Sequence, residues 1–202
     1  MTELTPNADR PPRRGRGRRP ADQVRAEILT AAGNLLLAEG MAGFTIEKVA
    51  SHSGASRMTI YKWWPSKGAL ALDGYFTVLA PTLAFPDTGD IMADLTSQLV
   101  TFVHLVRDTP AGRVISQLIA QAQTDPELAA AYRRRYSGPR RALAVEALNR
   151  AVARGQLRAD IDPESVVDQL WGACYHRLLI PDQPLTEDFA RTLVDNLARG
   201  LS

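Results

Sequence analysis

The 202-residue chain holds one cysteine, Cys174, and three histidines, His52, His104 and His176. A lone cysteine excludes an intrachain disulfide framework and suits a reducing compartment, so a cytoplasmic location is expected. The histidines form no His-x-x-x-His or Glu-x-x-His metal helix, and His104 with His176 would still want a third ligand. Glycine-rich phosphate loops and a strand-turn-helix elbow for a hydrolytic serine are missing too. Neither an enzyme nor a bound cofactor or metal is expected. No apolar run approaches the roughly 20 residues that span a bilayer, so no membrane partner is expected. The charged N-terminus is not followed by the apolar core of a secretory signal. No strand pattern competes with helix anywhere along the chain.

What is present is positive charge in one place. The formal charge is only +2, yet residues 1–72 hold eleven Lys and Arg against six Asp and Glu, a net +5, and the remainder carries −3. That is the electrostatic footprint of a polyanion-binding N-terminal region. Residues 1–20 form a Pro, Arg and Gly-rich arm with too little apolar surface to fold alone. Arg13, Arg14, Arg16, Arg18 and Arg19 suit two roles: insertion into an A·T-rich minor groove or a general hold on phosphates. Arg16-Gly17-Arg18 resembles part of an AT-hook, with Arg19 where that motif has Pro.

The stretch Thr45 to Lys67 organises the rest. Thr45 is a helix cap, followed by Ile46, Val49 and Ala50 on one face of a 3.6-residue period. Gly54 supplies a left-handed corner, and Ser56 caps a second helix that plugs Ile60 into a core. Arg57, Thr59, Tyr61 and Lys62 then face outward, two cations, a hydroxyl and a phenol suited to a major groove walled by phosphates. One such helix reads only a few base pairs, so a homodimer on a doubled, palindromic operator is expected.

The Ala50-x-x-x-Gly54 corner, Thr59-Ile60-Tyr61, the pair Trp63-Trp64 and Pro65-Ser66-Lys67 together resemble the DNA-binding domain of the TetR family of bacterial transcriptional regulators. The match runs from about Val24 to Leu72, with Gly68 where the family often has Glu, which predicts a loosely started fourth helix. The resemblance implies an all-α fold of about nine helices. An N-terminal three-helix helix-turn-helix domain (21–68) precedes a larger helical ligand-binding and dimerisation domain (69–202). Its position in the motif makes each of Thr45, Trp63 and Lys67 a phosphate contact, in keeping with the pull of a capped helix N-terminus on anions.

Helix starts are legible at Asp22, Ser66, Asp90, Asp125-Pro126, Asp162-Pro163 and Thr186, and Gly138-Pro139 should break or kink a helix. Between them run apolar stripes, among them Arg140 through Leu143, Leu148 and Val152. The family resemblance implies a cavity for a largely apolar small-molecule inducer, for which Phe76, Phe102, His104, Tyr132, Trp171, Tyr175 and His176 are lining candidates. It also implies pairing of the last two helices with those of a second copy, through Val167, Leu170, Cys174, Phe189, Leu193 and Leu197. These stripes equally suit the monomer's own core. A nonspecific architectural protein acting through the Arg-rich arm is the alternative to a ligand-responsive repressor.

Overall fold

The computed structural model describes residues 19–79 and 85–201. Arg13, Arg14, Arg16 and Arg18 lie outside the described residues. The described elements are helical: α1 (Ala21–Gly43), α2 (Ile46–Ser53), α3 (Arg57–Trp63), α4 (Lys67–Leu79), α5 (Ile91–Asp108), α6 (Ala111–Ala122), α7 (Pro126–Tyr132), α8 (Gly138–Ala153), α9 (Pro163–Leu179) and α10 (Glu187–Leu201). A π turn, Arg133–Ser137, runs α7 into α8 without a break.

Capping side chains set most helix starts. Thr45 accepts from Lys48 N–H at 3.2 Å, Ser56 from Thr59 N–H at 3.1 Å and Ser66 from Ala69 N–H at 3.1 Å. Asp90, Asp125 and Asp162 do the same for α5, α7 and α9, and Thr186 for α10. Each bond satisfies an N–H that the first helical turn leaves without an intrahelical acceptor. Asp22 is the exception: α1 begins at Ala21 behind Pro20 without a side-chain cap, and Asp22 lies inside the first turn. There its charge faces the positive end of the helix instead of bonding a particular N–H.

Two cores result. The first gathers α1 to α4 with α6 and Leu128 of α7, around Ile28, Leu36, Phe44, Ile60, Trp64 and Leu70. The second lies among α5, α8, α9 and α10, around Leu95, Leu99, Leu148, Leu170 and Cys174. Helix α6 therefore closes the core of the N-terminal domain, reinforced by Tyr75 Oη donating to Ala111 O at 2.9 Å and Met41 N–H donating to Gln117 Oε1 at 3.2 Å.

Two sequence expectations change. Gly68 does not loosen α4: it is buried, with Gln121 and Leu128 about 3.4 Å from where a Cβ would stand, so its missing side chain admits α6 and α7. Leu143 is 44% exposed, and Ala144, Ala147, Leu148 and Ala151 carry the buried stripe of α8 instead. The cause is the π turn. Pro139 has no N–H and its ring collides with a carbonyl four residues back, and the chain answers with a wider turn in which Gly138 N–H reaches Arg133 O. The inserted residue rotates everything after it relative to a continuous 3.6-residue reading.

Backbone meets backbone where α1 crosses α4. A Cβ on Gly33 would stand 2.4 Å from Gly74 O, and one on Gly74 2.8 Å from both Ala32 Cβ and Gly33 N. The backbones touch there. Gly33→Ala is expected to lower stability by about 1–3 kcal/mol, the usual cost of overpacking. Gly172→Ala, in a helix interior with nothing within 4 Å of the new Cβ, should raise it by about 0.5–1 kcal/mol. Urea unfolding of both variants checks the contrast.

Candidate functional site

The α2–α3 corner is held from inside. Gly54 adopts φ 65°, Ser53 Oγ donates to Val49 O at 2.8 Å and accepts from Ala55 N–H at 3.3 Å. Arg19, read in sequence as part of the free arm, bonds Glu27 and donates to Gly54 O at 3.1 Å, which ties this residue to the corner. Ile60 and Trp64 point inward and are essentially fully buried. The opposite face of α3 presents Arg57, Met58, Tyr61 and Lys62 to solvent. Tyr61 is 52% exposed and Met58 85%. Met58 escaped the sequence reading because an apolar residue carries no polar signal for a groove, yet it is the most exposed large apolar side chain on α3.

The other groove candidates are more engaged. Thr59 is half-buried, its hydroxyl 2.9 Å from that of Ser56. Arg57 pairs with Glu47 of α2 at 3.1 Å, both ends exposed, and a backbone hydrogen bond at Glu47, with this pair second, holds its carboxyl below its ordinary value. Thr45 is occupied as a cap, and Lys67 Nζ donates to Met41 O at 3.2 Å. Trp63 is half-buried, edge-on to Trp64 at 5.8 Å.

The second feature is a cavity of about 430 Å³ within the helical C-terminal half. Of the seven sequence candidates, Phe102, Tyr132, Trp171 and Tyr175 line it. Phe85, Tyr136 and Arg140, which were not singled out in sequence, line it as well. Its wall includes the whole stretch from Tyr132 to Gly138 apart from Arg134 and Arg135. A π turn is wider than an α turn and so spreads its side chains around a concave surface. Phe76 stands one layer back, stacked on Tyr136 at 3.6 Å with the rings 11° apart.

Phenols in the cavity remain neutral. Burial pushes Tyr132 up to about 12 and raises Tyr136, and it drives Tyr175 well above its ordinary value, where hydrogen bonds with the other two add to the shift. The same burial lowers Arg140. At the mouth, Arg141 of α8 bonds Asp168 at 2.5 and 3.0 Å and also Glu164, clamping α8 to α9. Arg141 holds the Asp168 carboxyl below its ordinary value.

His104 and His176 lie elsewhere. His176 is exposed, 3.9 Å from Asp182. His104 bridges α5 to α10, with Nδ1 2.8 Å from Asp108 and Nε2 3.1 Å from Glu187. Only the doubly protonated ring donates to both carboxylates, and its pKa is raised, chiefly by the Asp108 bond.

One chain of contacts joins the two features. Trp64, directly after α3, donates Nε1–H to Asp73 of α4 at 2.8 Å, and Asp73 also pairs with Arg135 of the π turn. Among the proposed pairing residues, Val167, Leu170 and Cys174 are closed into the chain's own second core, whereas Phe189, Leu193 and Leu197 are half-buried. Phe189 lies under the Arg177 guanidinium at 3.4 Å. Leu179 and Ile180, at the end of α9, are exposed at 41% and 55%. Among the described residues no group of three or more His, Cys, Asp or Glu is placed to hold a metal, and no helix is long and apolar enough to cross a membrane.

Residues 28–73 match the family described as bacterial regulatory proteins, tetR family, and residues 85–197 the one described as Tetracyclin repressor-like, C-terminal domain. The HTH-type transcriptional regulator YdeS of Bacillus subtilis is 34% identical over 92% of this chain and 93% of its own length. The DNA-binding transcriptional repressor TetR of Mycobacteroides abscessus is 29% identical over 85% of this chain and 90% of its own. A crystal structure of the TetR family transcription regulator SCO0332 superposes with a TM-score of 0.84 at 58% identity, covering 89% of this chain and 99% of that one.

Two outcomes are expected from these contacts. Asp73→Ala leaves the buried Trp64 N–H without an acceptor and should cost about 1–3 kcal/mol in urea unfolding, while Asp73→Asn keeps an acceptor and should cost less. For His104, the raised pKa means its stabilising contribution is present below about pH 6.5, the ordinary histidine value, and is lost as pH rises through the folded value. The melting temperature gap between wild type and His104→Asn should therefore be widest at pH 5.5 and close toward pH 8.5.

Proposed function

Because this chain belongs to the TetR family of bacterial transcriptional regulators, we propose that it is a homodimeric repressor that binds a palindromic operator in double-stranded DNA and is released by a small, largely apolar molecule. The observation that carries the reading is the face of α3: Arg57, Met58, Tyr61 and Lys62 are exposed, Arg57 in an exposed pair with Glu47, while Ile60 and Trp64 anchor the chain from behind. A seven-residue helix with its outer face uncovered has the length and chemistry to lie in a major groove, with base edges read by side chains and phosphates held by the surrounding cations. Thr45, Trp63, Lys67 and the arm residues Arg16 and Arg18 supply backbone contacts in this reading.

Dimerisation doubles the site. The exposed Leu179 and Ile180 and the half-buried Leu193 and Leu197 give α9 and α10 an apolar face for a second copy. The cavity is the inducer site. Release follows from the π turn, which lines the cavity through Tyr136 and carries the neighbouring Arg135 to Asp73 and so to Trp64, since a ligand that reshapes this turn shifts α4 and the reader attached to it. Cys174, buried with its thiol raised to about 12, is inert packing in this scheme.

Selection of genomic fragments by the purified full-length protein, without ligand and at near-physiological salt, tests the reading. Enrichment of one palindromic site is expected. Tyr61→Ala should weaken binding to that site by roughly tenfold or more, given about 1–3 kcal/mol for a good base contact, with the dimer unchanged in gel filtration. Equal retention of every fragment would instead assign binding to the arm alone.

A further inference from the structure

Resting on the reading of the cavity as the inducer site, we propose that its ligand is a planar aromatic anion, a two- or three-ring compound bearing one carboxylate or phenolate that is received by Arg140. Shape comes first. Six rings, those of Phe85, Phe102, Tyr132, Tyr136, Trp171 and Tyr175, wall a space of about 430 Å³. They are not packed face to face across it: Phe102 and Tyr175 lie 5.3 Å apart at 53°, and Phe85 and Trp171 6.3 Å apart at 41°. Rings at such tilts offer both faces and edges, the two arrangements that an inserted aromatic ring prefers. Gly172 and Ala144 complete the wall with almost no side chain, which leaves the depth to a flat guest.

Charge selects among flat guests. Arg133, Arg140 and Arg141 border the cavity, and Asp168 is the one acid among the described lining residues. Asp168 is already bound twice by Arg141. Arg133 is exposed, so the cation that meets a guest inside is the half-buried Arg140. Burial disfavours its charge, as its lowered pKa records. A guest that brings a negative charge offers this cation charge-assisted bonds in a water-poor site, and a cationic guest would meet like charge there. Tyr175 hydrogen-bonds to Tyr132 and Tyr136, which uses two of the three phenol protons and leaves one to donate to the same oxygens. Neutral guests collect the ring contacts and miss the charge-assisted bonds, which are roughly twice as strong as neutral ones.

Three isosteric probes separate the two levels of the reading: 2-naphthoate, 2-naphthamide and 2-naphthylmethylammonium, titrated calorimetrically into the full-length protein and into Arg140→Gln. Wild type should bind the acid about tenfold or more tighter than the amide and the ammonium least of all. Arg140→Gln should bring acid and amide to within about threefold, with amide affinity kept, which also shows that the variant is folded. Equal binding of acid and amide by wild type, a preference for the ammonium, or a preference for the acid that survives in Arg140→Gln would overturn the anion assignment while the cavity stays a ligand site. Failure of all three probes to bind at millimolar concentration would overturn the assignment together with the inducer-site reading.

Discussion

Backbone contact between α1 and α4 at Gly33 and Gly74 is the constraint on which the rest of the molecule depends. Helix axes normally lie about 8–10 Å apart because side chains intervene. Removing both Cβ atoms brings the two together closely enough that Ala32, Gly33 and Gly74 are in mutual contact. The consequence is positional. Helix α4 starts beside the reader helix, touches α1 at its middle and ends against the C-terminal half, so the crossing fixes the angle at which the two halves meet. Leu70, Leu72 and Tyr75 then pack into a core that includes α6, and Trp64 and Asp73 lock the middle of α4 to the end of α3.

That core crosses the boundary drawn from sequence at residue 68. Helices α1 to α3 do not enclose Ile60 and Trp64 alone; α4 and α6 complete the enclosure. The reader is thus rigid with respect to α4 and α6, and any motion of one is imposed on the others. The cavity lies between the π turn and the α9 rings, with Tyr132 and Tyr136 packed on the first core and Phe85, Phe102, Trp171 and Tyr175 on the second. The protein consists of a packed reader and a packed bundle with the looser, wider π turn between them.

The reader was legible in sequence because its signals are local. Capping hydroxyls, a left-handed glycine and a three-four apolar spacing act within a few residues, and the structure places Thr45, Gly54, Ser56 and Ile60 in those roles. Four cavity-lining aromatics were nameable by type, but Tyr136, Phe85 and Arg140 were not, and Leu143 was misplaced. All but Phe85 lie in or after the π turn, where a 3.6-residue reading drifts by one position. The proline that causes the turn was visible; its effect, a wide turn instead of a break, depends on Tyr136 stacking on Phe76 of another helix, a contact no local rule contains. Gly33 and Gly74 were invisible for the same reason: a close approach is a property of two distant segments.

For a cavity ligand to change DNA affinity, the link between π turn and reader must carry enough energy. The Arg135–Asp73 pair is too weak alone. Arg135 is about half exposed, and water screens such pairs to about 1 kcal/mol or less. Phe76 on Tyr136 adds about 0.5–1.5 kcal/mol as a stacked pair, and Tyr136 is itself part of the cavity wall. Together they reach the 1–3 kcal/mol typical of coupling between sites. The larger share then passes through ring packing, which is insensitive to salt, and the smaller through the ion pair, which is screened. A guest that displaces Tyr136 acts on the stronger of the two links directly and on the weaker only through the peptide bond that joins Tyr136 to Arg135.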